Sequence, residues 1–341
     1  MRIAFLTSTP QNISAGSGTY VGIATLANAL RQFNVEVEVF GPSLRLPMHT
    51  LSRRWFNEQL RARDFSSYDT VVGFDMDGFR LRLPHVASLK GVIADEAQYE
   101  TGITRRLLTL QAEWERRNVH NAKLVLTTSV YAARRIQQLY HLPDMPRVVP
   151  ELIDLAAWRK LFGSVEAEPD PSRFVVLAVA RFYRRKRIDV LLDAARSLQD
   201  RIPGFDLRIV GDGPESQHLR ALAPRSATFL GTISKRRLAL EYKQCDVFCL
   251  PSVQEGFGIV LLEAMAAGRA VVAVSASAVP EVVPHALLAL PDDAGSLAQA
   301  LYLAWSDPAL RSSVAQAGVE SVQRYDAPVV ARQFLEALTT P

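Results

Sequence analysis

Two carboxylates eight residues apart, Glu255 and Glu263, flank a glycine pair in "PSVQEGFGIVLLEAMAAGRAVVAV", residues 251–274. From Ile259 to Ala267 every residue but Glu263 is apolar, so the segment reads as a mostly buried helix. Gly268 follows as a left-handed cap would. A lone carboxylate on such a helix is unfavourable unless something hydrogen-bonds it. Helical side chains lean toward the N-terminus, so Glu263, at the second turn, aims at the helix opening. That opening offers unpaired amides and the positive end of the helix dipole, which suit a phosphate. Gly256 and Gly258 let a ligand approach the backbone closely, and Glu255 faces the same space from the loop. A carboxylate repels phosphate but accepts two hydroxyl protons, as from a ribose diol. Hydroxyls, phosphate and hydroxyls in series describe a nucleotide-sugar. The plainer alternative is a helix start with one buried, hydrogen-bonded glutamate.

Cations fall where a diphosphate would need them. In "AVARFYRRKRIDVLLDAA", Arg181 and Lys186 lie in the loop after an apolar strand. Arg would neutralise a diphosphate as a fork, Lys as a point charge. The basic run Arg184–Arg187 by itself reads more readily as a solvated surface. In the first half, "SAGSGTYVG" sets Gly16-Ser17-Gly18 before a helix, a weak phosphate signal because G-x-G is widespread. Asp75 and Asp77 in "GFDMDGF" alternate on one face and are read as lining the acceptor side, without a metal. The six histidines show no ligand spacing, and Cys245 and Cys249, on one face of a strand, read as reduced core residues.

The elements that must position these residues alternate along the whole chain. "RIAFLT", "VEVEVF", "TVVGF", "KGVIAD", "LVLTTS" and "RVVP" read as strands, with helices at 20–33, 105–118 and 131–140 between them. "FVVLAVA", "DLRIVG", "ATFLG", "VFCLP" and "AVVAV" restart the scheme, with helices at 188–199 and 237–243. Such alternation predicts doubly wound parallel sheets, α/β in class, whose ligands bind at the carboxyl ends of the strands. The polar, proline-bearing stretch 162–173 separates the halves. The expected organisation is residues 1–163 as an acceptor-side domain, 172–324 as a donor-binding domain, and a last helix within 325–341.

"EGFGIVLLEAMAAGRAVVA", preceded by "CDVFCLPS", resembles the signature of the retaining family 4 glycosyltransferases of the GT-B fold. "VAR" with Lys186 five residues on, "LRIVGDGPE", "ATFLGTIS" and "VPELID" stand where that family has similar segments. The resemblance implies two Rossmann-like domains facing across a cleft, the final helix crossing back to the first. It implies that Arg181 and Lys186 bind the donor diphosphate and stabilise the leaving nucleotide. It implies that Glu263 binds the ribose, and that Glu255 with Gly256, Phe257 and Gly258 holds the sugar. Ile233, Ile259 and Val260 complete the expected donor site, and Gly16 and Ser17 would meet the phosphates from the other domain. The pattern departs from the family in the first half. Ala94 stands where a histidine is expected at a strand end, Glu151-Leu152 replaces an Asn-Gly, and Arg187 replaces a glycine. Asp95 or Glu96 is the candidate to take over a sugar contact.

The activity so implied is metal-independent transfer of a sugar, with retention, from a nucleotide-diphosphate sugar to an acceptor hydroxyl. It uses no cofactor beyond that substrate. Two rivals are a nucleotide-sugar epimerase on the same fold and a non-catalytic nucleotide-sugar binder or partner subunit. Composition bounds the rest. The chain has 341 residues, 48% hydrophobic and 22% charged, enough for two cored domains. Its net charge of +4 is too mild to argue for nucleic acid. The N-terminus reads as a first strand and no apolar run reaches the ~18 residues of a membrane span, so a cytoplasmic location is expected. From about Leu51, apolar residues at 51, 55, 56 and 60 fall near one helical face beside Arg53 and Arg54. That helix reads as core packing with a solvated arginine face, and the default acceptor is soluble. The alternative is a peripheral contact with anionic lipid and a lipid-linked acceptor.

Overall fold

The computed structural model describes residues 1–9, 18–42, 49–167 and 170–339. The chain divides into two compact units, Met1–Ile153 with Tyr325–Pro341, and Asp154–Arg324. Gly16 and Ser17 lie outside the described residues.

The first unit is a six-stranded sheet built from β1 (Arg2–Leu6), β2 (Glu36–Phe40), β3 (Thr70–Phe74), β4 (Val86–Leu89), β5 (Leu124–Thr127) and β6 (Arg147–Val148). The order is β2-β1-β3-β4-β5-β6 and every pairing is parallel. Strands so placed are covered on both faces, which is why "RIAFL" and "TVVGF" are continuous apolar runs. The helix Ala327–Thr339 buries Ala327, Val330, Ala331 and Phe334, the spacing of one helical face. These side chains join Ile3, Phe5, Val72 and Phe74 in one core. Phe5 meets Phe74 edge-on at 5.0 Å and Phe334 at 6.0 Å between ring centroids.

The second unit comprises β7 (Phe174–Val179), β8 (Phe205–Val210), β9 (Ala227–Gly231), β10 (Val247–Leu250), β11 (Ala270–Val274) and β12 (Leu287–Ala289). Its order is β12-β11-β10-β7-β8-β9, again all parallel. The helix Ile259–Ala266 runs between β10 and β11, and Gly268 caps its end at φ +66°.

Three sequence expectations are corrected. The strand placed on "KGVIAD" is one element too late: the strand is "VASL", and Ile93–Glu96 is a short helix. The expected boundary at residue 163 falls inside the second unit's territory. The helix Leu155–Gly163 turns Trp158 into that unit's core, 5.2 Å from Phe162 and 6.1 Å from Tyr242 between ring centroids. Cys245 caps a helix rather than sitting on β10 with Cys249. Both cysteines are buried and free, and burial pushes the Cys245 thiol up to about 12.

Candidate active site

In the second unit the loop after β7 is nailed down by the loop after β8. Phe182 is buried against the Phe229 ring, donates its N–H to the Asp212 carbonyl at 3.0 Å, and accepts the Glu215 N–H at 3.0 Å. Gly213 makes this approach feasible, because a Cβ there would lie 2.6 Å from the Phe182 nitrogen. Arg181, beside the buried phenylalanine, is exposed and enters no hydrogen bond or ion pair within the described residues. The turn Arg184–Lys186 follows, and Arg187 takes a left-handed backbone, φ 48° and ψ 38°, to open the helix Ile188–Leu198. That conformation normally favours glycine, the residue expected from the resemblance. Ion pairs from Arg187 to Asp189 at 3.2 Å and Asp292 at 2.6 Å hold it there.

Lys186 and Glu255 meet at 2.7 Å, with side chains only 15% and 10% exposed. The Val253 N–H to Arg185 carbonyl bond, 3.0 Å, clips the two loops together. The Ser277 hydroxyl accepts the Glu255 N–H at 2.8 Å and fixes the backbone behind the carboxylate. Gly258 has φ +91°, and a Cβ there would press on Leu261 at 3.0 Å. This brings Lys186, Glu255 and the Gly256–Gly258 turn together at the start of the helix that carries Ile259, Val260 and Glu263. Ile233 is half-buried in the loop after β9.

The partner of Glu263 inside the protein is Tyr242, whose hydroxyl donates to Oε2 at 2.9 Å. Tyr242 is wholly buried, between Trp158 and Phe248. Burial raises the Glu263 carboxyl from 4.5 to about 7, opposed by the Tyr242 hydrogen bond and the charge of Lys235. Glu263 Oε1 has no hydrogen-bond partner among the described residues. The pairing was invisible in the sequence, since Tyr242 sits 21 positions away on another helix.

The acceptor-side candidates of the first unit divide. Asp77 is buried and committed: it accepts the Ser8 N–H, the Ser8 hydroxyl at 2.7 Å and the Asn57 amide at 2.8 Å. Asp95 is also buried, bridged by Arg135 at 2.7 Å and hydrogen-bonded by the Tyr131 hydroxyl at 2.7 Å. Asp75 differs. It follows β3 directly with φ 54°, and its Oδ1 accepts the Lys90 N–H at 2.8 Å. Burial pushes its carboxyl from 3.8 up to about 6. A non-glycine residue held left-handed at a strand end, with a raised carboxyl, fits a site residue. Glu96 is half-buried over Gly91, where a Cβ would lie 2.8 Å from Oε1.

Ala94 is not at a strand end. It lies in the short helix, donating its N–H to the Tyr140 hydroxyl at 3.2 Å. The residue that follows the carboxyl end of β4 is Lys90, which sequence reasoning missed because it placed this lysine at the start of a strand rather than after the end of one. Its Nζ pairs with Glu151 Oε2 at 3.1 Å. Arg53 is likewise not solvated. It donates to Gln111, and its charge acts on Asp75 and Asp77. Among the described residues no three His, Cys, Asp or Glu side chains are grouped to hold a metal ion.

The model of the family described as "Glycosyl transferases group 1" matches residues 173–307. The phosphatidyl-myo-inositol mannosyltransferase of Mycobacterium tuberculosis is 31% identical over 283 residues, 78% of this chain and 74% of that protein. The D-inositol 3-phosphate glycosyltransferase of Pseudarthrobacter chlorophenolicus is 28% identical, covering 90% and 86%. Among solved structures, a sucrose-phosphate synthase from Thermosynechococcus elongatus superposes with a TM-score of 0.79 at 21% identity, covering 99% of this chain and 98% of the other. Anabaena HepE in complex with UDP and glucose gives 0.72 at 20% identity, covering 99% of each. The paired parallel sheets are thus those of the GT-B fold, and the chain belongs to the group 1 glycosyl transferases as a hexosyl-transferring enzyme.

Proposed function

We propose that this glycosyltransferase moves a hexosyl group, with retention, from a nucleotide-diphosphate sugar to an acceptor hydroxyl and needs no metal. The observation that carries the reading is the Lys186–Glu255 pair, 2.7 Å apart, at a glycine turn that opens a helix. Arg181 and Lys186 take the diphosphate, with the helix amides. Glu263 takes the ribose diol through Oε1, which has no partner among the described residues. Glu255 and the Gly256–Gly258 backbone take the sugar. The bond from the anomeric carbon to the phosphate oxygen breaks, and the acceptor oxygen bonds that carbon on the same face. The acceptor proton passes to the departing phosphate. Charge grows on the leaving group, so fixed cations and helix amides do the work a metal would do. Asp75 and Glu96 contribute on the acceptor side, where relatives named for phosphatidyl-myo-inositol and D-inositol 3-phosphate support a polyol acceptor.

A thermal-shift panel of nucleotide-diphosphate sugars identifies the donor, because binding raises apparent stability by mass action. Nucleotide release from that donor should then proceed at an undiminished rate in excess EDTA. Loss of turnover on chelation would overturn the metal-free mechanism. Binding without any release would favour the non-catalytic binder, and the anomeric configuration of the product tests retention.

A second reading concerns where the acceptor lies. The helix His49–Leu60 buries Phe56 and Leu60 but leaves Leu51 and Trp55 each 48% exposed, beside exposed Arg54. Exposed apolar side chains with a cation fit contact with anionic lipid. Among the described residues no helix is long and apolar enough to cross a membrane, and the contact proposed is peripheral. Wild-type protein should pellet with anionic but not neutral vesicles at low salt. Trp55→Ala with Arg54→Glu should abolish this. Absence of pelleting at low salt would leave a soluble acceptor.

A further inference from the structure

The first unit contains a buried ion pair at the carboxyl end of its sheet. The side chains of Lys90 and Glu151 are 5% and 3% exposed and meet at 3.1 Å. Removing two charges from water generally costs as much as their attraction returns, so a buried pair is weak evidence of a stabilising role. Its position is more telling. Lys90 leaves the carboxyl end of β4, and its own N–H is held by Asp75, which leaves the carboxyl end of the adjacent β3. Glu151 follows β6, and its Oε2 lies over Gly22 in the helix Gly18–Arg31, where a Cβ would approach to 2.6 Å. The helix surface is cut away where the carboxylate sits. Ser8 and Asp77 join the neighbouring ends of β1 and β3, on either side of the point where the strand order reverses. Ligands of open parallel sheets bind at this end and at this reversal.

We propose that Lys90, oriented by Glu151, is a substrate-binding residue of the first unit that donates a hydrogen bond to a hydroxyl oxygen of a sugar or polyol. The charges choose the ligand. Glu151 pairs with the ammonium, so the pair carries no excess positive charge for a phosphate. A donor beside an acceptor suits a neutral polyhydroxyl group instead, with the ammonium donating and the carboxylate accepting. Glu151 is the positioning residue, acting through Lys90. The inference rests on the glycosyltransferase reading above, and the hydroxyl belongs either to the transferred hexose or to the acceptor.

The test uses the full chain, with UDP-glucose and GDP-mannose as donor probes and myo-inositol as acceptor probe. Lys90→Met should lower nucleotide release tenfold to a hundredfold while UDP or GDP binding, measured by calorimetry, stays within twofold. If the hydroxyl is the hexose's, release falls with and without myo-inositol. If it is the acceptor's, only the inositol-stimulated part falls. Lys90→His should restore part of the activity with a new pH limb. With one ring nitrogen donating to Glu151, the imidazole must be charged for the other to donate to substrate, so activity holds at low pH and falls as pH rises through its pKa. Glu151→Gln should lower turnover without removing nucleotide binding. Wild-type release rates in Lys90→Met would overturn the proposal. So would losses that follow a lowered melting temperature with no new limb in Lys90→His. A wild type that binds none of the nucleotide-diphosphate sugars of the panel would overturn the donor reading as well, whereas release lost with nucleotide binding kept belongs to Lys90 alone.

Discussion

Lys186→Ala and Arg181→Ala should each lower kcat by roughly 10²–10³, the range for losing one electrostatic stabiliser of a transition state. Leaving-group charge is only partly developed in the bound donor and nearly complete in the transition state, so KM should change less than kcat. The two residues should differ in a second respect. Arg181 is exposed and has no hydrogen bond or ion pair among the described residues, so its loss should leave the protein otherwise intact. Lys186 is paired at 2.7 Å with Glu255, which would be left largely buried without a partner. Lys186→Ala should therefore also lower stability, and the double variant Lys186→Ala/Glu255→Gln should recover stability but not turnover. Initial rates of nucleotide release with a urea titration separate the two effects. Wild-type kcat in both single variants would displace the diphosphate from this loop.

Glu263→Gln should do opposite things to stability and to donor affinity. The folded-state carboxyl titrates at about 7 against an ordinary 4.5, because burial disfavours the charged form. Below 4.5 the group is neutral in both states and carries no penalty. As pH rises from 4.5 to about 7 the native state loses stability, and above 7 the full penalty remains. At 1.36 kcal/mol per pH unit this interval corresponds to at most about 3 kcal/mol. Glutamine, permanently neutral, should stabilise the protein by about 1–3 kcal/mol at pH 8 and by almost nothing at pH 4. A ribose diol needs the carboxylate as acceptor, so donor affinity should weaken by about 1.5–3 kcal/mol in the same variant at pH 8. In the wild type, donor affinity should rise with pH through 7. Melting curves and calorimetric titration at the two pH values check both halves. Undiminished donor affinity in a folded Glu263→Gln would remove the ribose from this residue.

The second unit's candidate site was legible as a cluster because its residues are local in sequence. Glu255, the glycines and Glu263 lie within nine residues, and helix geometry alone brings them to one opening. Strands β7, β10 and β11 were legible because they are apolar runs buried on both faces, whereas the three-residue β12 is too short to give a period. The first unit was harder for reasons visible in particular residues. β4 is "VASL", whose alanine and serine carry little strand preference, whereas the nearby "GVI" looks like a strand and is a turn and helix start. That offset hid Lys90 and drew attention to Ala94. The fates of Asp77, Asp95 and Arg53 were decided by partners 20 to 69 positions away, which no local pattern records. The helix Leu155–Gly163 looked like the end of the first half, because its attachment depends on where one tryptophan points.

The first unit is discontinuous: Ile153 leaves it, and the bridge between Ile153 and Asp326 marks the return. During synthesis this imposes an order. Strands β1–β6 emerge before the last helix, and Phe334, which closes over Phe5, is made only after the whole of Asp154–Arg324. At ~5–20 residues per second, that leaves roughly 10–30 s in which the apolar seat of this helix has no cover. The second unit, contiguous in sequence, is complete first. A nascent chain arrested after residue 324 but before the last helix therefore carries a complete second unit and an open first unit, the species on which chaperones and proteases would act.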